Sequence, residues 1–317
     1  MTPGILIVDK ERGPTSHDVV ARVRRLLKTR EVGHAGTLDP MATGVLVVAL
    51  GEATKLVPYL TNAAKTYEAR LELGRETDTL DAMGDVTGEA AIDDALLGAF
   101  GQPIESLAPL VREARDAEIA RTLQDPPIYS AIQQDGERAY ARARRGEDVV
   151  LEPRVVRVHD LRVTAMGLTP RPWIDLRVTA DKGYYVRSLG RDLARGLGSV
   201  GHLVALRRLD SGGFTVGDAV SLAGSRETIE PRIVSLADAA RRALPAATLT
   251  DEGVREARFG RRVKLEDIET TAARGEPCAW FDREGTLVAV GIVEDDGRVV
   301  RGFGPSGAPS PAPPLPQ

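Results

Sequence analysis

Apolar runs of strand length alternate with helix-period amphipathic stretches along the 317 residues, which predicts a mixed α and β fold; no internal repeat stands out. Ile5-Leu6-Ile7-Val8 reads as a strand ending in Asp9-Lys10. Thr15 and Asp18, three residues apart, predict a capping box, and the helix it opens carries Val19, Val20, Val23, Leu26 and Leu27 on one face. Val45-Leu46-Val47-Val48-Ala49-Leu50 is too apolar for a solvated loop and suits a strand buried on both faces. A short helix is expected near residues 52–55, and residues 67–73 alternate as a half-buried strand does. Residues 77–81 read as a polar loop.

Residues 92–123 have a helical composition, broken near Gly101-Gln102-Pro103 and stopped by Asp125-Pro126-Pro127. Residues 140–145 predict a short basic helix closed by Gly146. Residues 173–180 alternate, which turns Ile174, Leu176, Val178 and Ala180 to a core face. Gly183 marks a turn into a helix over 186–197, with Leu189, Leu193 and Leu197 as its apolar stripe and Arg187, Arg191 and Arg195 as a ridge on another face. Leu244-Pro245 is the expected boundary to a small β unit. Its strands are expected near 279–281, 287–293 and 299–303, with one helix at 252–258. The predicted organisation is a large domain over 1–244, a β-rich domain over 245–304 and a disordered Pro-rich tail over 305–317.

Composition then removes several classes. Cys278 is the lone cysteine, which excludes a disulfide framework or a multi-cysteine zinc site, and four histidines make no case for a metal. No apolar stretch has membrane-spanning length and Met1-Thr2-Pro3-Gly4 does not resemble an export signal, so no membrane association and a cytoplasmic location are expected. A net charge of −4 does not advertise nucleic-acid binding. Of the 42 basic residues, however, only six are lysine and 36 are arginine, whose planar fork suits phosphates and base edges. They group at Arg22, Arg24, Arg25, Lys28 and Arg30; at Arg138, Arg142, Arg144 and Arg145; and at Arg187, Arg191, Arg195, Arg207 and Arg208. Phosphate contacts from these groups would weaken steeply with salt.

The stretch richest in chemistry is Gly33-His34-Ala35-Gly36-Thr37-Leu38-Asp39-Pro40-Met41-Ala42-Thr43-Gly44, which leads straight into the apolar run at Val45. Glycines allow sharp turns and close approach to a ligand, and Pro40 biases Asp39 toward an extended backbone. Asp-Pro alone is ordinary turn chemistry. Here the carboxylate has His34, Thr37 and bracketing glycines beside it and a buried strand behind it, as a nucleophile or general base requires.

The string GHAGTLDPMATGVLVVALGEATK strongly resembles the catalytic motif of the tRNA pseudouridine synthase B (TruB) family. Lys65-Thr66-Tyr67, Lys182-Gly183-Tyr184-Tyr185-Val186-Arg187-Ser188, Leu206-Arg207-Arg208-Leu209 and the opening Asp9-Lys10-Glu11-Arg12-Gly13-Pro14-Thr15-Ser16 resemble the family's other segments in order. The resemblance runs over about residues 4–215. It implies an α+β pseudouridine synthase fold: a large mixed, mainly antiparallel sheet flanked by helices, with a central cleft. The C-terminal unit resembles, more weakly, a PUA-type RNA-binding domain. Two departures stand out: Gln133 where the family has lysine, and a longer segment over 100–123.

As the resemblance implies, the substrate is the T stem-loop of tRNA, the target its uridine at position 55, and no cofactor, metal or obligate protein partner is needed by a monomeric enzyme. Asp39 would act at the nucleotide, Arg187 would hold it ionised, and Tyr67 would stack on the uracil. Tyr185 would line the pocket, Leu206 would close it, and His34 would fill the space left by the flipped-out base. Three roles stay open for Asp39: attack at C1′, attack at C6, or removal of the 2′ proton. Other classes fit less well. A phosphate-binding loop would need the Gly-Lys-Ser/Thr ending or Gly-x-Gly-x-x-Gly spacing. A thiolate enzyme would need an activated cysteine, and Cys278 has no histidine nearby in sequence. A non-catalytic RNA-binding or tRNA-chaperone protein would not require Asp39.

Overall fold

A computed structural model describes residues 3–100, 108–130, 132–134, 137–139, 142, 145, 147 and 149–304. The expected break at 101–103, most of the basic helix at 140–145 and the Pro-rich tail at 305–317 lie outside the described residues.

The elements that place the site are β1 (Gly4–Lys10), α1 (Ser16–Leu27), β2 (Val32–Ala35), β3 (Thr43–Leu50), β4 (Lys65–Leu73), β5 (Val158–Gly167), β6 (Trp173–Ala180), α2 (Val186–Gly196) and β7 (Gly201–Ser211). The strands form one sheet in the order β5-β6-β4-β7-β3-β1, continued by Val234–Ser235, with β2 added to β3 and Phe214–Thr215 to β7. Neighbours run antiparallel except β7 and β3, which meet in parallel only at Arg207↔Thr43 and Arg208↔Gly44. The sheet is therefore mixed and mainly antiparallel, in an α+β fold. Helix α1 starts at the expected capping box: the Thr15 hydroxyl accepts from the Asp18 N–H while the Asp18 carboxylate accepts from the Thr15 N–H.

Two hydrophobic clusters explain why β1 is apolar over 5–8 and β3 over 45–50. On one face Leu6, Val8, Leu46 and Val48 pack with Val19, Val23 and Leu27 of α1 and with Leu189 and Leu193 of α2. On the other, Ile5, Ile7, Val45 and Val47 belong to one cluster with Leu56, Ala239 and Ala240, which Ala279, Phe281, Leu287 and Val290 from beyond residue 245 complete. These last residues belong to a five-stranded sheet ordered Ile268–Thr270, Ala246–Leu249, Pro277–Phe281, Leu287–Val293, Gly297–Gly302, next to the helix Asp251–Arg258.

The structure departs from the sequence pattern in four places. Gly33 and His34 lie in strand β2, not in a loop, because the upper half of β3 takes β2 as its partner from Val32↔Leu50 to Ala35↔Val47. Strand β5 escapes the alternation rule because register shifts at Val158/Asp160 and Val163/Ala165 break its period of two. In β7 the charged Arg207, Arg208 and Asp210 mask a strand of eleven residues. The helical composition of 92–123 resolves into Asp94–Phe100 and Pro109–Ile119, followed by the short strand Leu123–Gln124.

Candidate active site

The segment 36–42 spans a split in the sheet. One edge of β3 pairs with β7 at Thr43 and Gly44 and with β2 from Val47 onward, which leaves Val45 between them without a ladder partner on that side. The guanidinium of Arg208, fully buried, fills the gap: Nε donates to the Val45 carbonyl at 2.7 Å, Nη2 to Gly36 at 3.0 Å and Nη1 to Thr37 at 3.4 Å. From beneath, the buried Lys10 ammonium donates to the carbonyls of Ala42 at 2.7 Å, Glu11 at 2.9 Å and Pro40 at 3.4 Å. Burial lowers the pKa of Lys10 to about 8, against the pull of Asp39, which raises it. Ser16, at the start of α1, accepts from the Leu38 N–H at 2.9 Å and donates to the Leu38 carbonyl at 3.1 Å. The loop holding Asp39 is thus fixed by two buried cations and one hydroxyl.

Arg187, in the first turn of α2, reaches Asp39 from the other side. Its Nε lies 2.8 Å from Asp39 Oδ2, but off the N–H axis, so the contact is an ion pair and not an aligned hydrogen bond. Nη1 donates to the Thr79 carbonyl at 2.8 Å and Nη2 to the Tyr129 carbonyl at 3.0 Å. A second carboxylate, Asp81, stands 3.8 Å from Nη1, with its own Oδ1 held by the Thr79 hydroxyl and the Met83 N–H, both at 2.9 Å. A buried guanidinium needs such company, since an unpaired one costs several kcal/mol. The Arg187 side chain is 5 % exposed and that of Asp39 34 %, so the clamp is covered while the acid keeps a free side.

That free side gives onto a cleft of about 470 Å³ lined by Asp39, Arg187, Tyr67, Tyr185, Leu206 and Lys65, among others. Tyr67 sits on β4 between Val178 of β6 and Arg208 of β7. Tyr185 is the residue before α2, and burial is the main reason its phenol is held above the ordinary pKa. Leu206 is buried on β7. Lys65, at the start of β4, donates to the carbonyls of Ala63 at 2.7 Å and Thr61 at 3.0 Å, and burial takes its pKa down to about 8.

Five of the six residues singled out in the sequence therefore line one cleft. His34 does not line it: half-buried on β2, its ring stands edge-on to that of His17, 5.4 Å away, and burial lowers its pKa. The basic groups also divide. Arg187 and Arg208 are buried and spend their N–H groups on this protein's own carbonyls, which removes them from the candidate phosphate contacts. Of the expected ridge only Arg195 is exposed, since Arg187 is buried and Arg191, largely covered, is spent on Asp192 and the Asp125 carbonyl. Asp81 and Lys10 escaped the sequence reading as site residues. An acid in a run of polar residues and a lysine at a strand end give no sign of burial.

The sequence model described as TruB family pseudouridylate synthase (N terminal domain) matches residues 24–186. Over 300 residues the chain is 41 % identical to a tRNA pseudouridine synthase B of Arthrobacter sp. (strain FB24), covering 92 % of each protein. It is 41 % identical over 295 residues to that of Thermobifida fusca (strain YX), covering 92 % of this chain and 94 % of the relative. Among solved structures, a chain of a Cbf5-Nop10-Gar1 complex superimposes with a TM-score of 0.69 at 24 % identity, covering 95 % of this chain and 84 % of that one, a likeness of fold. The motif around Asp39, the order of the matching segments and these similarities over nearly the whole length place the chain in the TruB family of pseudouridine synthases.

Proposed function

We propose that this pseudouridine synthase acts on tRNA at the T-loop uridine of position 55, with Asp39 as the carboxylate that engages the flipped-out nucleotide. The observation that carries this reading is the ion pair of Asp39 with Arg187 on the wall of a cleft shared with Tyr67 and Tyr185. The reaction breaks the N1–C1′ bond, turns the uracil and forms a C5–C1′ bond; C5 loses a proton and N1 gains one. Product and substrate are isomers, so the chemistry asks for no oxidant, reductant or group donor.

Arg187 keeps Asp39 in its acceptor form and fixes the oxygen it touches, leaving the carboxylate free to attack C1′ or C6 or to take the 2′ proton. Tyr67 gives the detached base a face to lie on and its hydroxyl helps to deprotonate C5, while Tyr185, its phenol kept neutral by burial, lines the pocket. Leu206 keeps water off the base while it turns. Flipping the nucleotide costs a few kcal/mol, offset in this reading by His34 entering the RNA stack as a flat, uncharged ring. Residues 1–244 carry the chemistry, 245–304 serve as a PUA-like RNA-binding domain, and the enzyme works as a cytoplasmic monomer.

Mapping of pseudouridine at nucleotide resolution, in a tRNA transcript incubated with the purified protein, tests the target. One new pseudouridine at position 55 is expected, and none in a transcript with cytidine there. Modification confined to another position would contradict the assignment.

A further inference from the structure

We infer that Gln124 is a positioning residue for the reaction: its side-chain amide ties together two walls of the cleft that it does not itself line. Gln124 is 1 % exposed and absent from the cleft lining. Through its backbone it pairs with Arg154, which lines the cleft. Its side chain makes a reciprocal pair with the backbone of Tyr185: Oε1 accepts from the Tyr185 N–H at 2.8 Å, and Nε2 donates to the Tyr185 carbonyl at 3.1 Å. One residue thus sets the spacing between the strand of Arg154 and the entry to α2.

The consequence reaches the chemistry because Tyr185 opens the helix that carries Arg187. Its backbone is the N-cap of α2, where no side chain of the cap residue supplies a hydrogen bond, and Arg187 is the second residue of that helix. The stretch around Gln124 is fastened to the same helix at three more points. The Asp125 carbonyl accepts from the Ser188 hydroxyl at 2.8 Å and from Arg191 at 3.2 Å, and the Tyr129 carbonyl accepts from Arg187 at 3.0 Å. Of these contacts only that of Gln124 depends on its own side chain rather than on backbone carbonyls. Loss of the amide leaves the Tyr185 N–H without its partner, leaves the Tyr185 carbonyl with the Leu189 N–H of the helix alone, at 3.1 Å, and frees the start of α2 to shift. A displacement of about 1 Å at a reacting group is enough to slow a positioned reaction on the order of a hundredfold.

This inference rests on the reading of the cleft given above, and its test separates the two. Gln124→Met keeps size and removes both hydrogen bonds. Gln124→Glu keeps the acceptor for the Tyr185 N–H, but offers a donor to the Tyr185 carbonyl only when protonated. Single-turnover rates and tRNA dissociation constants are measured for both variants and the wild type between about pH 5.5 and 8, with melting curves to verify folding. The expected result for Gln124→Met is a rate at least about tenfold lower with tRNA affinity within about twofold of wild type, a loss of positioning rather than of binding. For Gln124→Glu the rate relative to wild type should rise as pH falls, because burial holds the carboxyl protonated at the acid end and the proton restores the second bond. A purely structural role would lower the melting temperature without that pH-dependent ratio. Folded variants with wild-type rates, a loss confined to affinity, or a pH-independent ratio for Gln124→Glu would each overturn the inference. If Gln124→Met does not fold, the Gln124→Glu profile decides alone. Wild-type protein that never turns over tRNA would instead refute the reading of the cleft.

Discussion

Arg187 stands between two carboxylates and two carbonyls, and its planar fork meets all four. Lysine has the charge but not the fork, so Arg187→Lys keeps attraction to Asp39 and drops the contacts with Thr79 and Tyr129. Arg187→Ala removes the charge as well. Turnover of Arg187→Ala is expected to fall by about 10²–10³-fold, with tRNA affinity within about threefold, since the group acts on Asp39 and not on phosphates. Affinity falling as far as turnover would contradict this. Lys10 makes a second prediction at this scale. Burial takes its pKa from the ordinary 10.5 to about 8, so between those values the unfolded chain holds a proton that the folded chain has released. Its contribution to stability therefore increases as pH rises through that window. Urea midpoints of the wild type relative to Lys10→Met should rise from pH 8 to pH 10; an unchanged difference would refute the assignment.

At the scale of elements, the Asp39 loop is held by a close approach of two strands. Gly44 has φ +97°, and a Cβ there would stand 2.2 Å from the Arg208 carbonyl oxygen, so only glycine lets β3 meet β7. Gly44→Ala is expected to cost at least about 2 kcal/mol, read as a drop of several degrees in melting temperature, and to reduce turnover through the displaced loop. Wild-type stability would show that the strands can part freely. Much of this arrangement is legible in the sequence: the capping box at Thr15, the buried run at Val45 and the loop glycines are local signals that the fold respects. What escapes is non-local. Strand β2 exists because β3 needs a partner, and Arg208 is buried because the sheet splits at Val45; neither fact has a trace in the residues around it. Asp39 and Arg187 come together from sequence only through family resemblance, whereas Asp81 became a site residue only when the fold placed it 3.8 Å from the same guanidinium.

At the scale of the whole molecule, the parts before and after residue 245 share an apolar core. Ile5, Ile7, Val45 and Val47 share one cluster with Phe281, Leu287 and Val290, joined by Ala239 and Ala240 of the helix Leu236–Ala243, which touches both β1 and the strand Leu287–Val293. Burying side chains of this kind contributes roughly 1.5–3 kcal/mol each. Deletion from residue 246 onward should therefore open this shared core and remove a sum comparable to the whole stability of a domain. The truncated protein is expected to be aggregated or unfolded by circular dichroism and size-exclusion chromatography. A folded truncate that binds tRNA more weakly but melts normally would show that the far strands serve binding alone. The face that meets RNA has to draw on arginines other than the two buried in the site, and its affinity should fall with added salt while the Asp39–Arg187 pair, largely covered, holds.

The proposed chemistry turns on one carboxylate, and release of tritium from tRNA labelled at C5 of uridine reads its action directly. Asp39→Asn keeps the size of the side chain and its place in the loop while removing the charge. It should bind tRNA with affinity close to wild type and release no tritium above background in a single turnover. Release at the wild-type rate by the folded variant would contradict the central claim.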